Sequence, residues 1–213
     1  MSQIFVAHSR RDRDFRDFFS NAFAGTKVKA VFEEFEKILV GRITSDIVAR
    51  DIENSRAVFV ILSQNVQDIL HTRDWVVWEA GVAASGNKDI WVFEPISQLG
   101  RISVVIPYLK HYVVFDTSDD WLGYIQRIIE SYDDSHVLST VLVTGFTGAA
   151  LGGGLGAAVG TLTGIIISDR SRERPTGIEV ECCECNSIYS IHIPQGLNIF
   201  RCPVCNAYLE VRL

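Results

Sequence analysis

Basic residues are in short supply. The 213-residue chain carries 20 Lys plus Arg against 26 Asp plus Glu, a formal charge of -6. With no basic block, sequence-independent binding to nucleic acid lacks its electropositive footprint, so nucleic acid is not an expected partner. A GxGxxG turn and a Walker loop are missing as well, which removes the usual dinucleotide and triphosphate fingerprints. The first twenty residues, MSQIFVAHSRRDRDFRDFFS, hold no apolar h-region. No secretory signal is therefore expected, and the expected compartment is the cytoplasm or the cytoplasmic face of a membrane. Cysteine is absent until Cys182, after which come Cys183, Cys185, Cys202 and Cys205. Charge is absent from Val137 to Ser168, where glycine is concentrated instead. These gaps divide the chain into three parts: 1–134, 137–168 and 176–213.

In the first part, short apolar runs alternate with helical periodicity. Ile4–Ala7, Val28–Phe32, Ala57–Leu62, Ile90–Phe93 and His111–Phe115 read as strands. Helices are expected over Asp12–Phe23, with Phe15, Phe18, Phe19 and Phe23 on one face, and over Ser45–Glu53, with Ile47, Val48 and Ile52 inward and Ser45 as N-cap. Asp74–Ala84 and Asp119–Tyr132 complete the set, while 94–110 shows no clear period. This alternation predicts a doubly wound α/β fold around five parallel strands. Open parallel sheets bind ligands at the carboxyl ends of their strands. The loops to search are therefore His8-Ser9-Arg10-Arg11, Glu33 to Arg42, and Ser63 to Asp74.

Those loops carry a family pattern. Ile4-Phe5-Val6-Ala7-His8-Ser9 with Asp12 is followed by Val31-Phe32-Glu33-Glu34, Gly41-Arg42-Ile43 and Asp51-Ile52-Glu53-Asn54-Ser55-Arg56. Val60-Ile61-Leu62-Ser63-Gln64-Asn65, Asp74-Trp75 and Glu79 come next. In this order and spacing, residues 1–134 resemble a Toll/interleukin-1 receptor (TIR) domain. The resemblance implies a flavodoxin-like sheet and one of two trades: assembly through TIR–TIR contacts, or cleavage of NAD+ by one glutamate on the third helix. Glu79 stands at the position of that glutamate. The segment Glu33–Gly41, which in the family mediates assembly and gates the pocket, departs from the pattern in one place: Ile43 stands where a proline often follows the glycine.

A single glutamate suits that chemistry. Nicotinamide leaves NAD+ as a neutral molecule from a cationic bond, so no acid need protonate it. The transition state resembles an oxocarbenium ion. One carboxylate can stabilise that charge, hold a ribose hydroxyl or activate water. Trp75 lies one turn before Glu79, and Trp75 or Trp78 could stack on a flat ring. Arg10, Arg11 and Arg42 would face the pyrophosphate, with His8 and Ser9 beside them. Each residue also has a plainer role open to it: a solvated charge for Glu79 and the arginines, packing for the tryptophans, a backbone hydrogen bond for His8 and a helix cap for Ser9.

In the second part, Gly148, Gly152, Gly156, Gly160 and Gly164 recur every four residues. On a helix they form one smooth stripe, suited to close approach of a partner helix. Each costs about 1 kcal/mol relative to alanine, so packing must offset them. The segment is long enough for a bilayer core of ~30 Å. Arg170, Arg172 and Arg174 beyond it, however, favour the compartment that the TIR-like part also needs. A hairpin at Gly152-Gly153-Gly154 would have arms of about 15 residues, roughly 22 Å, too short to cross fully. A membrane-embedded hairpin and an oligomerising helix both remain open.

In the third part, Cys182-x2-Cys185, sixteen intervening residues and Cys202-x2-Cys205 match zinc-ribbon spacing. Four thiolates would close a structural Zn²⁺ site, with Cys183 spare. Ser187 to Phe200, turning at Pro194-Gln195-Gly196, is expected to form a hairpin. A tail this small would draw its folding energy from the metal. From Asp169 onward five Arg face six Asp plus Glu, and a four-thiolate zinc site adds -2, so protein contact is favoured over nucleic acid.

The leading expectation is a TIR-like NAD+ glycohydrolase, or an ADP-ribosyl cyclase, activated by self-assembly and serving cell signalling or antiviral defence. The alternative is a non-enzymatic TIR scaffold working by TIR–TIR and glycine-helix contacts.

Overall fold

A computed structural model describes residues 1–33, 44–100, 104–106, 108–133 and 174–211. The segments 34–43 and 137–168 lie outside these residues, and with them Arg42 and the glycine stripe.

The strands are β1 (Gln3–Ala7), β2 (Lys29–Glu33), β3 (Ala57–Ile61), β4 (Asp89–Pro95) and β5 (His111–Phe115), followed by β6 (Ile178–Glu181), β7 (Ile188–His192), β8 (Ile199–Arg201) and β9 (Tyr208–Glu210). The helices are α1 (Arg13–Phe23), α2 (Ser45–Glu53), α3 (Gln64–Asp68), α4 (Leu70–Ser85) and α5 (Asp119–Glu130). Seven strands form one sheet in the order β2-β1-β3-β4-β5-β7-β6, and β8 pairs with β9 alone. Every neighbour from β2 to β7 is parallel, and only β6 runs against its partner β7.

The central strands are apolar without a break because both faces of the sheet are covered. Alternation then sorts their side chains. Phe5, Val58, Val60, Ile90, Val92, Tyr112 and Val114 enter one core with Val48, Ile52, Val76, Ala80 and Ala83 of α2 and α4. Ile4, Val6, Phe59, Trp91, Phe93 and Phe115 enter the other with Phe18, Phe19, Ala22 and Phe23 of α1 and Ile125, Ile128 and Ile129 of α5. That second core is largely aromatic. Phe19 meets Phe93 edge-on at 5.0 Å, and Phe59 lies 4.9 Å from Phe93.

Several expectations need correction. Ile47 is exposed, although its neighbours Val48 and Ile52 are fully buried. Ser45, Asp46 and Ile47 of the first turn of α2 are all exposed, and burial begins at Val48. Thr44, not Ser45, occupies the cap position of α2. The helix carrying Glu79 begins at Leu70, one turn before Asp74, directly after the short α3.

The largest difference concerns the tail. β7 adds to β5 in parallel, with His111 opposite Ser190 and Val113 opposite His192. The expected five-stranded sheet is thereby extended to seven, and the cysteine region is continuous with it. Cys182, Tyr189, Ile191, Phe200 and Cys202 share a core with Phe5 and Tyr112. Residues 187–200 do not pair as one hairpin. Instead β6 pairs with β7 and β8 with β9, each pair enclosing one Cys-x2-Cys turn. Among the described residues, no helix is long and apolar enough to cross a membrane.

Candidate functional site

The cysteine cluster follows from a repeated turn. Cys182-Cys183-Glu184-Cys185-Asn186 and Cys202-Pro203-Val204-Cys205-Asn206 fold alike. In each, the asparagine amide donates to the carbonyl of the first cysteine at 2.8 Å, and the asparagine takes a positive φ, 56° at Asn186 and 67° at Asn206. Asparagine tolerates that left-handed conformation better than most residues. The two turns bring the Sγ atoms of Cys182, Cys185, Cys202 and Cys205 within 4.8 Å of one another. Two of the separations are 3.5 and 3.9 Å. Tetrahedral thiolates at ~2.3 Å from zinc lie about 3.8 Å apart, so the four sulfurs fit such an ion. Cys183 is exposed and outside the cluster.

The surroundings suit thiolates. The Val204 amide donates to Cys202 Sγ at 3.4 Å, and Ser187 Oγ lies 3.3 Å from Cys185 Sγ. The Tyr189 hydroxyl is buried beside Cys202 and is directed at its sulfur. A metal-bound thiolate would accept more strongly from that hydroxyl, as outer-shell donors commonly find in metal sites.

Glu79 lies on the buried stripe of α4 with Thr72, Val76, Ala80 and Ala83, and is only 1% exposed. It is therefore not the solvated surface charge that a helical glutamate usually is. Trp75 and Trp78 are half-buried, pack against the same core and face each other at 4.6 Å between ring centroids.

His8, Ser9, Arg10 and Arg11 form the turn between β1 and α1. His8 is buried, its Nδ1 3.3 Å from the Val6 carbonyl and its ring edge-on to Phe32. Ser9 accepts from the Arg11 amide through its hydroxyl and from the Asp12 amide through its carbonyl, so it shapes the turn before the helix. Both arginines are exposed. Asp12, at the cap position of α1, makes no cap hydrogen bond with its side chain. Its carboxylate instead accepts from Ser63 Oγ and, at 2.6 Å, from Asn65 Nδ2. The loops after β1 and β3 are thus tied together by a buried carboxylate that the sequence reading left out of the candidate site.

A second acid also escaped that reading. Glu94 ends the run Ile90–Phe93 at the carboxyl end of β4 and is 1% exposed. The Tyr112 hydroxyl donates to its Oε2, while Oε1 makes no well-formed hydrogen bond. Burial pushes its carboxyl up to about 7, against the opposing influence of Tyr112 and the Gly100 amide. The available signal was a lone carboxylate at the ligand-binding end of a central strand.

On the opposite face, a cavity of about 630 Å³ lies between α5 and the β6–β7 pair, with Tyr124 and His192 in its wall. Burial lowers His192 to about 3 and His111 to about 4. Both rings are neutral at physiological pH.

No known protein-family model matches the chain, and no curated protein is similar to it.

Proposed function

We propose that the chain is a TIR-like NAD+ nucleosidase in which Glu79 serves the nicotinamide–ribose bond. The observation carrying this reading is the carboxyl of Glu79 on the sheet-facing stripe of α4, shielded from water, with Trp75 one turn before it. The strand order β2-β1-β3-β4-β5 supports a flavodoxin-like first part. In the proposed step, the bond from the ribose carbon to the pyridinium nitrogen breaks and its electron pair leaves with neutral nicotinamide. Water adds to the sugar carbon and loses a proton, giving ADP-ribose. The Glu79 carboxylate stabilises the cationic carbon and receives that proton before solvent does.

Four thiolates suit Zn²⁺, and a closed tetrahedral set leaves no position for substrate, so the metal's part is structural. Self-association through TIR–TIR and glycine-helix contacts would switch the activity on.

The packing of Glu79 among Val76, Ala80 and Ala83 favours a second reading, a non-enzymatic scaffold in which the glutamate only holds α4 in place. Incubating zinc-loaded protein with NAD+ at low and high protein concentration, and following nicotinamide, separates the two. Release that rises steeply with protein concentration supports the nucleosidase. No release at any concentration from folded protein leaves the scaffold.

A further inference from the structure

Where the carboxyl end of β4 meets the second cysteine hairpin, a cavity of about 190 Å³ opens with Glu94 in its wall. Leu99 and Gly100 border it from the loop after β4, and Phe200, Arg201 and Tyr208 from β8 and β9. It contains no residue proposed for NAD+ cleavage and is independent of that activity.

The Glu94 carboxyl is half satisfied. Oε2 accepts from Tyr112 and the Gly100 amide lies near the carboxyl, but Oε1 makes no well-formed hydrogen bond despite its burial. A buried acceptor without a partner is costly, and few persist in a folded protein without a reason. Arg201 is already oriented: its Nη1 donates to the Asn206 carbonyl at 3.1 Å, its Nη2 donates to the Tyr208 hydroxyl, and its guanidinium lies 3.7 Å from the Tyr208 ring centroid. These contacts leave other donors of its five-donor fork for a guest.

The lining restricts the guest's chemistry. The Arg201 guanidinium disfavours a cation, and the desolvated Glu94 carboxyl disfavours an anion. Phe200 and Tyr208 supply aromatic walls, and the volume suits a single small ring. Once ionised, above about pH 7, the carboxylate takes an N–H donor at Oε1, and the remaining guanidinium donors take an acceptor on the same guest. A planar, uncharged molecule with adjacent N–H and C=O groups meets all of these conditions.

We propose that this cavity is a binding site for a small uncharged aromatic or heterocyclic ligand presenting an amide edge, its N–H donating to Glu94 Oε1 and its carbonyl accepting from Arg201. The edge belongs equally to an exocyclic carboxamide and to the lactam of a nucleobase.

The test titrates the zinc-loaded full chain at pH 8, where the Glu94 carboxyl is ionised, with benzamide, uracil and N,N-dimethylbenzamide by ligand-observed NMR. Benzamide or uracil is expected to bind with a Kd of about 1 mM or tighter, within reach of a ligand this small. Binding by benzamide alone identifies an exocyclic amide, and binding by uracil alone a lactam. N,N-dimethylbenzamide, which lacks the N–H, should bind at least about tenfold more weakly than benzamide, as expected when a buried acceptor is left unpaired. Glu94→Leu and Arg201→Ala should each weaken the bound probe by a similar factor. Should Glu94→Leu fail to fold, Arg201→Ala and the methylated probe still decide the matter. The proposal is overturned if neither amide binds at about 10 mM, which would mean a cavity for water alone. It is overturned equally if the folded variants bind like wild type.

Discussion

Tyr112 donates its hydroxyl to Oε2 of Glu94, joining β5 to the carboxyl end of β4 on the face that also bears the cysteine cluster. In the parallel register Glu94 stands opposite Val114, so Tyr112 reaches it from two residues away on the same side of the sheet. A carboxyl held in this way makes folding sensitive to pH.

Burial keeps the Glu94 carboxyl protonated to about pH 7, against an ordinary value of 4.5. Below pH 4.5 both folded and unfolded chains carry the proton. Between 4.5 and 7 the unfolded chain releases it first, so the folded state binds more protons and stability falls as pH rises. The loss is complete above about 7 and amounts to about 3 kcal/mol. Urea unfolding at pH 4.5 and pH 8 should show wild type losing this amount relative to Glu94→Gln. Parallel pH profiles for the two proteins would refute the assignment.

The buried carboxyl of Glu79 is expected to be replaceable by an amide without loss of the fold. Glu79→Gln should retain the wild-type circular dichroism spectrum and lower nicotinamide release by about 100-fold or more, the usual scale for a lost catalytic acid or base. Equal release from the two proteins would remove Glu79 from the mechanism and leave the activity to another residue.

Each chain should bind one zinc ion, as measured by elemental analysis. Cys202→Ser or a strong chelator should remove it and destabilise the protein by on the order of 5 kcal/mol or more, because metal binding and folding are coupled. Hydrogen exchange should accelerate first at the Asn186 and Asn206 amides, which close the two turns. Cys183→Ser should leave zinc content and stability unchanged, since that thiol is exposed and outside the cluster.

Gly177 lies against β7 so closely that an added Cβ would stand 2.6 Å from the Ile191 carbonyl oxygen and 2.7 Å from His192 Nε2. The first neighbour is backbone and cannot rotate away. Gly177→Ala should therefore lower stability by about 2 kcal/mol, as overpacking typically does, measurable as a reduced urea midpoint at unchanged m-value.

The strands of the first part were legible because each is a short apolar run, and β5 was bounded correctly at His111–Phe115. Val48 and Ile52 were legible by helical spacing, but Ile47 was not. Periodicity marks an apolar stripe without showing where along the helix its support ends. The four clustered cysteines were legible from spacing alone. Their attachment to the sheet was not, because the pairing of His111 with Ser190 joins residues 79 positions apart and leaves no local pattern. Glu94 and Tyr112 were hidden for a related reason. Each sits in an apolar run and becomes significant only when the adjacent strand sets one beside the other. Asp12 was read as part of a helix start, whereas its side chain serves the loop after β3.

The sideways addition of β7 to β5 has a consequence for how the chain can be divided. Cutting after Asp133 would not release a smaller intact unit. It would bare the backbone amides and carbonyls along His111–Val113 and strip Tyr112 of its aromatic neighbour Phe200. An unprotected flank of that kind invites aggregation with neighbouring molecules. The last forty residues therefore act as a selvedge, finishing a margin that would otherwise fray.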